Sequence, residues 1–180
     1  MATEIHTTTG INKNVLPSVK VLISFEEMLS RYYEIIGKLE KSHLDFWKSV
    51  SMAKQTRANL YTNLHEDISK NSKAYELGRG ISGPAMSLLG KINSESQRAG
   101  KANSELEAHL DFIYRVETVI FEQSTLPLLT GRTSVFRKIQ AILNKIQSNQ
   151  LRLIDGYIKR RRAYPEPVNR RKKLIASISQ

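Results

Sequence analysis

The feature that most constrains this chain is a long seam of mostly apolar residues at alternating steps of three and four. The seam residues are Leu22, Phe25, Leu29, Tyr32, Ile36, Leu39, His43, Phe46, Val50, Ala53, Arg57, Leu60 and Leu64. This period of 3.5 is typical of an α-helix that packs against another helix, and a strand cannot satisfy it. One helix over the whole seam would be about 65 Å long, whereas a compact globule of this size is roughly 32 Å across. The seam therefore predicts an elongated, all-α molecule.

A second seam follows after a helix stop and a helix start. Gly78-Arg79-Gly80 ends the first helix, and Ser82-Gly83-Pro84 is typical of a new one, because proline suits the first turn and serine suits the cap. Steps of three and four then recur from Ala85 to Ile120. This pattern predicts a second helix of similar reach to the first.

A third helix, beginning at Pro127 or Ser134, completes the predicted architecture, and Pro165 marks its end. The first helix begins at Ser18 or at Ser24, where a capping-box pattern occurs. The sequence thus predicts an antiparallel three-helix bundle or coiled coil. Its predicted parts are a flexible segment over 1–17, a bundle over 18–164 with helices over about 18–77, 84–124 and 127–164, and a basic tail over 165–180.

Apolar and aromatic side chains on these helices are the predicted core and dimer contacts. The third helix has an apolar face too broad for one neighbour, which favours a homodimer. The predicted core or interface residues are Phe25, Tyr32, Phe46, Trp47, Leu60, Ile113, Ile139 and Ile146.

Catalytic and metal chemistry find little support in the sequence. The chain has no cysteine, so thiolate sites and disulfides are excluded. Glu40-x-x-His43 has the spacing of a ferritin-like metal ligand pair, but that chemistry needs a second pair and two further inward glutamates. We therefore interpret His43 as a hydrogen-bonded seam residue, and expect no cofactor, no metal and no enzymatic activity.

The net charge of +11 is concentrated near the C-terminus. Residues 159–173 hold eight Lys/Arg and one acid, a formal +7, whereas the other 165 residues hold 20 basic and 16 acidic side chains, a formal +4. The predicted lipid-binding residues in this run are Lys159, Arg160, Arg161, Arg162, Arg170, Arg171, Lys172 and Lys173. Such a run suits anionic membrane lipids, including phosphoinositides, and equally a nucleic-acid backbone.

Three stretches of the chain resemble the BAR superfamily, including its inverse-BAR type. They are residues 39–47 in the first helix, residues 125–129 with a Pro-Leu pair before the last helix, and residues 153–164 near its end. The similarity covers roughly residues 20–164. It implies an antiparallel homodimer that binds and bends anionic membranes through basic patches.

The leading hypothesis is therefore a cytoplasmic, peripheral membrane scaffold that adheres to anionic lipid. Two alternatives remain: a nucleic-acid-binding helical subunit, and a coiled-coil adaptor that recruits protein partners. The hypotheses differ in one structural expectation, because basic residues lined along a single helix face would favour the membrane.

Overall fold

The computed structural model describes residues 15–77, 82–101, 105–124 and 129–163. The chain is all-α, as predicted, with one short two-stranded ribbon. Its elements are α1 (Val15–Leu39), α2 (Leu44–Lys70), β1 (Tyr75–Leu77), α3 (Ser82–Ala99), α4 (Leu106–Ser124), β2 (Leu129–Gly131) and α5 (Ser134–Ala163).

The single long helix predicted over residues 18–77 is wrong, because its two halves form a helical hairpin. After α1 the chain turns through Glu40 and a short 3-10 helix, and α2 packs back against α1. Small residues allow this close approach: Ser30 and Ser51 share a 2.9 Å hydrogen bond between their hydroxyls. A Cβ on Gly37 would lie 3.0 Å from Trp47 Cβ. The seam residues therefore belong to two helices, α1 and α2, that pack against each other within one chain.

The second predicted helix, 84–124, is also two helices. α3 ends at Ala99, and α4 begins at Leu106. The third helix begins at Ser134, one of its two predicted starts, whereas α1 begins at Val15 instead of Ser18 or Ser24. The predicted flexible segment therefore loses residues 15–17 to α1, and its remainder lies outside the described residues, as does the predicted tail over 165–180.

Four of the helices form a closed ring in which α1 neighbours α2, α2 neighbours α5, α5 neighbours α4, and α4 neighbours α1. Arg161 near the end of α5 bonds Glu107 near the start of α4 at 3.0 Å, so these two helices are antiparallel. The rings of Trp47 at the start of α2 and Tyr157 near the end of α5 lie 5.2 Å apart, so α2 and α5 are also antiparallel. Hence α2 and α4 run in the same direction, and α3 packs along α1 as the crossover between them.

A small antiparallel ribbon lies at the end of the bundle where α1 and α5 begin. Tyr75 pairs with Gly131 in its register. A Cβ on Gly131 would lie 2.6 Å from the Tyr75 ring and 2.7 Å from that of Phe136, so this position accommodates only glycine without movement. The ribbon thereby fixes how the chain enters α5.

The core has two apolar clusters, one near the ribbon and one towards the opposite end. Among the predicted core residues, Phe25, Tyr32, Trp47, Ile113 and Ile139 are buried within the monomer, whereas Phe46, Leu60 and Ile146 are partly buried. The five buried residues are covered by other residues of the same chain. The homodimer stays a prediction.

Candidate functional site

A group of buried polar side chains lies inside the four-helix ring. Along α2 and α5 it separates the two apolar clusters. Each member is 3% exposed or less. We call this group the central charge cluster; its members are Glu26 and Tyr33 on α1, Lys54 and Arg57 on α2, Glu117 on α4, and Gln147 and Gln150 on α5.

Glu117 is the hub of the central charge cluster. The Lys54 ammonium lies 2.9 Å from Glu117 Oε1 and donates to Oε2 at 3.0 Å. The Tyr33 hydroxyl donates to Oε1, and the Gln147 amide donates to Oε2 at 3.2 Å. One carboxylate therefore receives hydrogen bonds from three other helices, which fixes the spacing of all four.

Glu26 holds the second carboxylate of the cluster. Arg57 Nε donates to Glu26 Oε1 at 2.7 Å, and a second Arg57 nitrogen donates to the Leu143 carbonyl at 3.2 Å. Lys54 Nζ lies 3.6 Å from Glu26 Oε2 and so bridges the two carboxylates. Two carboxylates face two cations, and the cluster is formally neutral.

Electrostatics inside the cluster follow from burial and from these pairs. Burial raises the pKa of Tyr33 well above its ordinary value, and the Glu117 carboxylate raises it further, so Tyr33 stays a neutral donor. Burial alone would lower the pKa of Arg57, but Glu26, Tyr61 and Glu117 together outweigh it and the pKa rises. Both groups thus keep the protonation states that the hydrogen bonds require.

The Glu40-x-x-His43 pair lies at the hairpin turn, outside the central charge cluster. Glu40 is buried and accepts hydrogen bonds from Trp47 Nε1 at 3.0 Å, from the Tyr157 hydroxyl and from Arg161. These bonds fasten the turn to the end of α5, which is a structural role. Within the described ranges, no group of three or more His, Asp or Glu is placed to hold a metal ion.

A second polar contact joins α1, α3 and α4. The buried ring of His109 lies with Nδ1 2.9 Å from the Tyr32 hydroxyl and 3.5 Å from Glu95 Oε2. Burial lowers the pKa of His109, and the nearby Arg98 guanidinium lowers it further, against the opposing effect of Glu95. The imidazole is therefore held neutral in the folded state.

The outward side of α5 carries a regular pattern of exposed basic residues. Lys138, Lys145, Arg152 and Lys159 are all exposed and follow one another every seven residues, so they form a line with only about 20° of drift per step. Exposed apolar side chains flank this line: Val135 at 40%, Ile142 at 46% and Leu153 at 52% exposure. We call these seven residues the α5 outer face.

The predicted lipid-binding residues within α5 divide into two groups. Arg160 is exposed, and so is Lys159, which pairs with Asp155 on the same helix at 2.8 Å. Arg161 instead bonds Glu40 and Glu107, and Arg162 bonds Asp111 on α4. The last two therefore hold α5 to its neighbours.

The remaining predicted lipid contacts, Arg170, Arg171, Lys172 and Lys173, lie outside the described residues.

Sequence reasoning singled out Arg57 as a polar seam residue but missed its partners. Lys54 is fully buried three residues earlier, and the carboxylates that neutralise the pair come from α1 and α4. A usable signal was the position of Lys54 next to the seam, three residues before Arg57, because basic side chains buried beside an apolar seam need acidic partners.

Comparison of the chain with protein-family models, with curated proteins and with solved structures gives no match. Among the helices that the structure describes, none combines the length and apolar character needed to cross a bilayer. Functional inference therefore depends on the chemistry of the two sites above.

Proposed function

We propose that this chain is a non-enzymatic, peripheral membrane-binding protein that adheres to anionic lipid through the α5 outer face. One observation carries the proposal: four exposed basic residues stand in line along one helix, with exposed apolar side chains beside them. Basic residues along one helix face are the feature that favours membrane adhesion over the two alternatives.

Electrostatic attraction supplies the larger part of the proposed binding. Helix α5 contains eight Lys/Arg and a single acid, Asp155. Each Lys or Arg close to an anionic leaflet contributes about 1 kcal/mol. The four residues of the line would together tighten binding roughly 10²–10³-fold, since 1.4 kcal/mol corresponds to tenfold.

The apolar flank supports a lipid surface over a nucleic acid. A helix that lies in the membrane interface buries apolar side chains at the headgroup boundary and keeps basic ones beside the phosphates. Ile142 and Leu153 are about half exposed and have the size to enter this boundary. These aliphatic side chains would not strengthen binding to a nucleic acid, because its bases stack on aromatic rings.

The finer expectation is membrane shaping by a homodimer, as the BAR resemblance implies. We propose a homodimer in which the two copies present both α5 outer faces on the same side of the dimer. Light scattering of the purified chain tests the dimer, and electron microscopy of anionic liposomes incubated with it tests the shaping.

The adhesion itself is tested by co-sedimentation with phosphatidylserine liposomes and with neutral liposomes, at low and high salt. The α5 variant is K138Q/K145Q/R152Q/K159Q, and the matched control is K20Q/K38Q/K41Q/K48Q, which removes exposed lysines of α1, α2 and their turn. Both variants lower the formal net charge from +11 to +7. Any difference between them therefore reports where the charge lies.

The expected result is binding to anionic liposomes alone, weakened by salt, lost by roughly 10²-fold in the α5 variant and little changed in the control. Equal weakening of both variants would contradict a specific face. Displacement of the bound chain from liposomes by RNA, with tighter retention on RNA, would favour the nucleic-acid alternative instead.

A further inference from the structure

The central charge cluster has the arrangement of a metal cage, and this feature is independent of membrane adhesion. Two of its helices each contribute one carboxylate, and the other two each contribute a pair of side chains three residues apart. These ligand positions are Glu26 on α1, Glu117 on α4, Lys54 and Arg57 on α2, and Gln147 and Gln150 on α5.

Four-helix bundles that hold two metal ions use the same distribution of side chains. A Glu comes from each of two helices, and a Glu-x-x-His pair comes from each of the other two, all pointing inward. The bundles of that type called ferritin-like have a single long crossover connection. In this chain, α3 lies between the parallel helices α2 and α4 in sequence and packs along α1.

The residues present do not fit a metal. Lys54 Nζ lies 2.9 and 3.0 Å from the two oxygens of Glu117, and Tyr33 and Gln147 donate to the same two oxygens, so the roughly four acceptor sites of this carboxylate are filled. Arg57 takes one oxygen of Glu26 at 2.7 Å. A divalent ion would have to displace or approach two cations in a dry interior, where like charges repel strongly.

Unused acceptors remain in the cluster despite this occupation. Glu26 Oε2, Gln147 Oε1 and Gln150 Oε1 are buried and accept no hydrogen bond from the described residues, although Lys54 Nζ lies 3.6 Å from the first. The cage thus keeps more oxygen ligands than its two cations use. Such oxygens are the ligands that hard divalent ions prefer.

We infer that the centre of this bundle has the side-chain distribution of a dinuclear metal cage but is closed to metal, because Lys54 and Arg57 serve as the cations for Glu26 and Glu117. The fold is therefore independent of metal. Supplying the missing acidic and imidazole ligands on α2 and α5 converts the cage into a divalent metal site.

The test adds Co²⁺ alone to the full chain and to designed variants. The first variant, K54E/R57H, places a Glu-x-x-His pair on α2, and the second adds Q147E/Q150H to do the same on α5. The control, T56E/N59H with A141E/N144H, introduces identical residues at the same spacing on exposed positions of the same helices. Retained metal after gel filtration, the visible spectrum of bound Co²⁺ and the helix content by circular dichroism are measured.

The expected result is no retained Co²⁺ for the wild-type chain and the control, and about two ions per chain for the four-residue variant. We expect that variant to gain helix content when Co²⁺ is added, because its carboxylates repel one another without metal. The two-residue variant, which keeps both neutral amides, is expected to bind Co²⁺ with a smaller dependence of folding on metal.

Three outcomes would overturn the inference. The first is stoichiometric binding of Co²⁺ by the wild-type chain at the cluster. The second is native helix content in either variant without any gain in binding over the control. The third is failure of both variants to fold even with Co²⁺ present, since a true cage would be completed by the metal.

Discussion

Lysine and arginine side chains occupy two opposite settings in this molecule, the central charge cluster and the α5 outer face. Lys54 has no exposed surface and is held by two carboxylates, whereas Lys145 is exposed on the outward side of α5. A buried cation is expensive unless paired, and an exposed one costs almost nothing. The same residue type therefore serves the integrity of the fold in one region and is available for recognition in the other.

The largest expected effect breaks the buried pair. Lys54→Met leaves Glu117 without its cation in a dry interior, and we expect it to lower the free energy of unfolding by about 3–5 kcal/mol. Lys145→Met on the exposed face should change it by no more than about 0.5 kcal/mol. Urea unfolding measures both; equal midpoints for the two variants would remove the distinction between the regions.

A second comparison concerns the packing around two glycines, Gly131 in the ribbon and Gly90 in α3. Gly131→Ala would place a methyl group 2.6 Å from the Tyr75 ring, and overpacking of this kind costs about 1–3 kcal/mol. Gly90→Ala in α3 meets no atom within 4 Å and should stabilise the chain by about 0.5–1 kcal/mol through helix propensity. Thermal unfolding of the two variants should shift in opposite directions, and shifts of the same sign would show that the ribbon is not tightly packed.

Acid should lower the stability of the interior around His109. The charge of the Lys and Arg side chains on the α5 outer face should not change. Burial first, and then Arg98, hold the pKa of His109 below its ordinary value, so the folded state binds fewer protons there than the unfolded chain. The stability that this neutral imidazole contributes is present above a pH of about 6.5 and is lost as pH falls through the lowered pKa. Unfolding free energies at several pH values should decline below that point, and His109→Gln should flatten the decline; an unchanged slope would assign it to other groups.

The smallest expected effect on stability belongs to the line of basic residues on α5. Its four substitutions to Gln should each change the free energy of unfolding by within about 0.5 kcal/mol. Circular dichroism during thermal unfolding measures this change. Marked destabilisation would mean that the line supports the bundle and does not merely lie on it.

The all-α class could be predicted from sequence, and the start of α5 could be narrowed to Pro127 or Ser134, because apolar periodicity and helix-start residues are local signals. The hairpin at Glu40 could not, because the turn contains neither glycine nor proline and the steps of three and four continue through it. Two of the three side chains that bond Glu40 are distant in sequence: Tyr157 and Arg161 reach it from the end of α5.

The two sites also differ in how far they could be predicted from the sequence. The heptad line on α5 is local, and it is visible once the helix bounds are known. The central charge cluster joins Glu26, Lys54 and Glu117 across three helices, so no sequence window contains it. A single sequence offers spacing along one helix, whereas charge compensation in a core depends on which helices become neighbours.

The most direct test of membrane adhesion uses the absence of cysteine, which lets one introduced thiol be labelled alone. An environment-sensitive dye is attached through I142C on the α5 outer face, or through M52C on α2, where Met52 is 69% exposed. We predict that phosphatidylserine liposomes shift the emission of the dye at position 142 to shorter wavelength and leave that at position 52 unchanged. Equal shifts at both positions, or a shift at position 52 alone, would contradict the account.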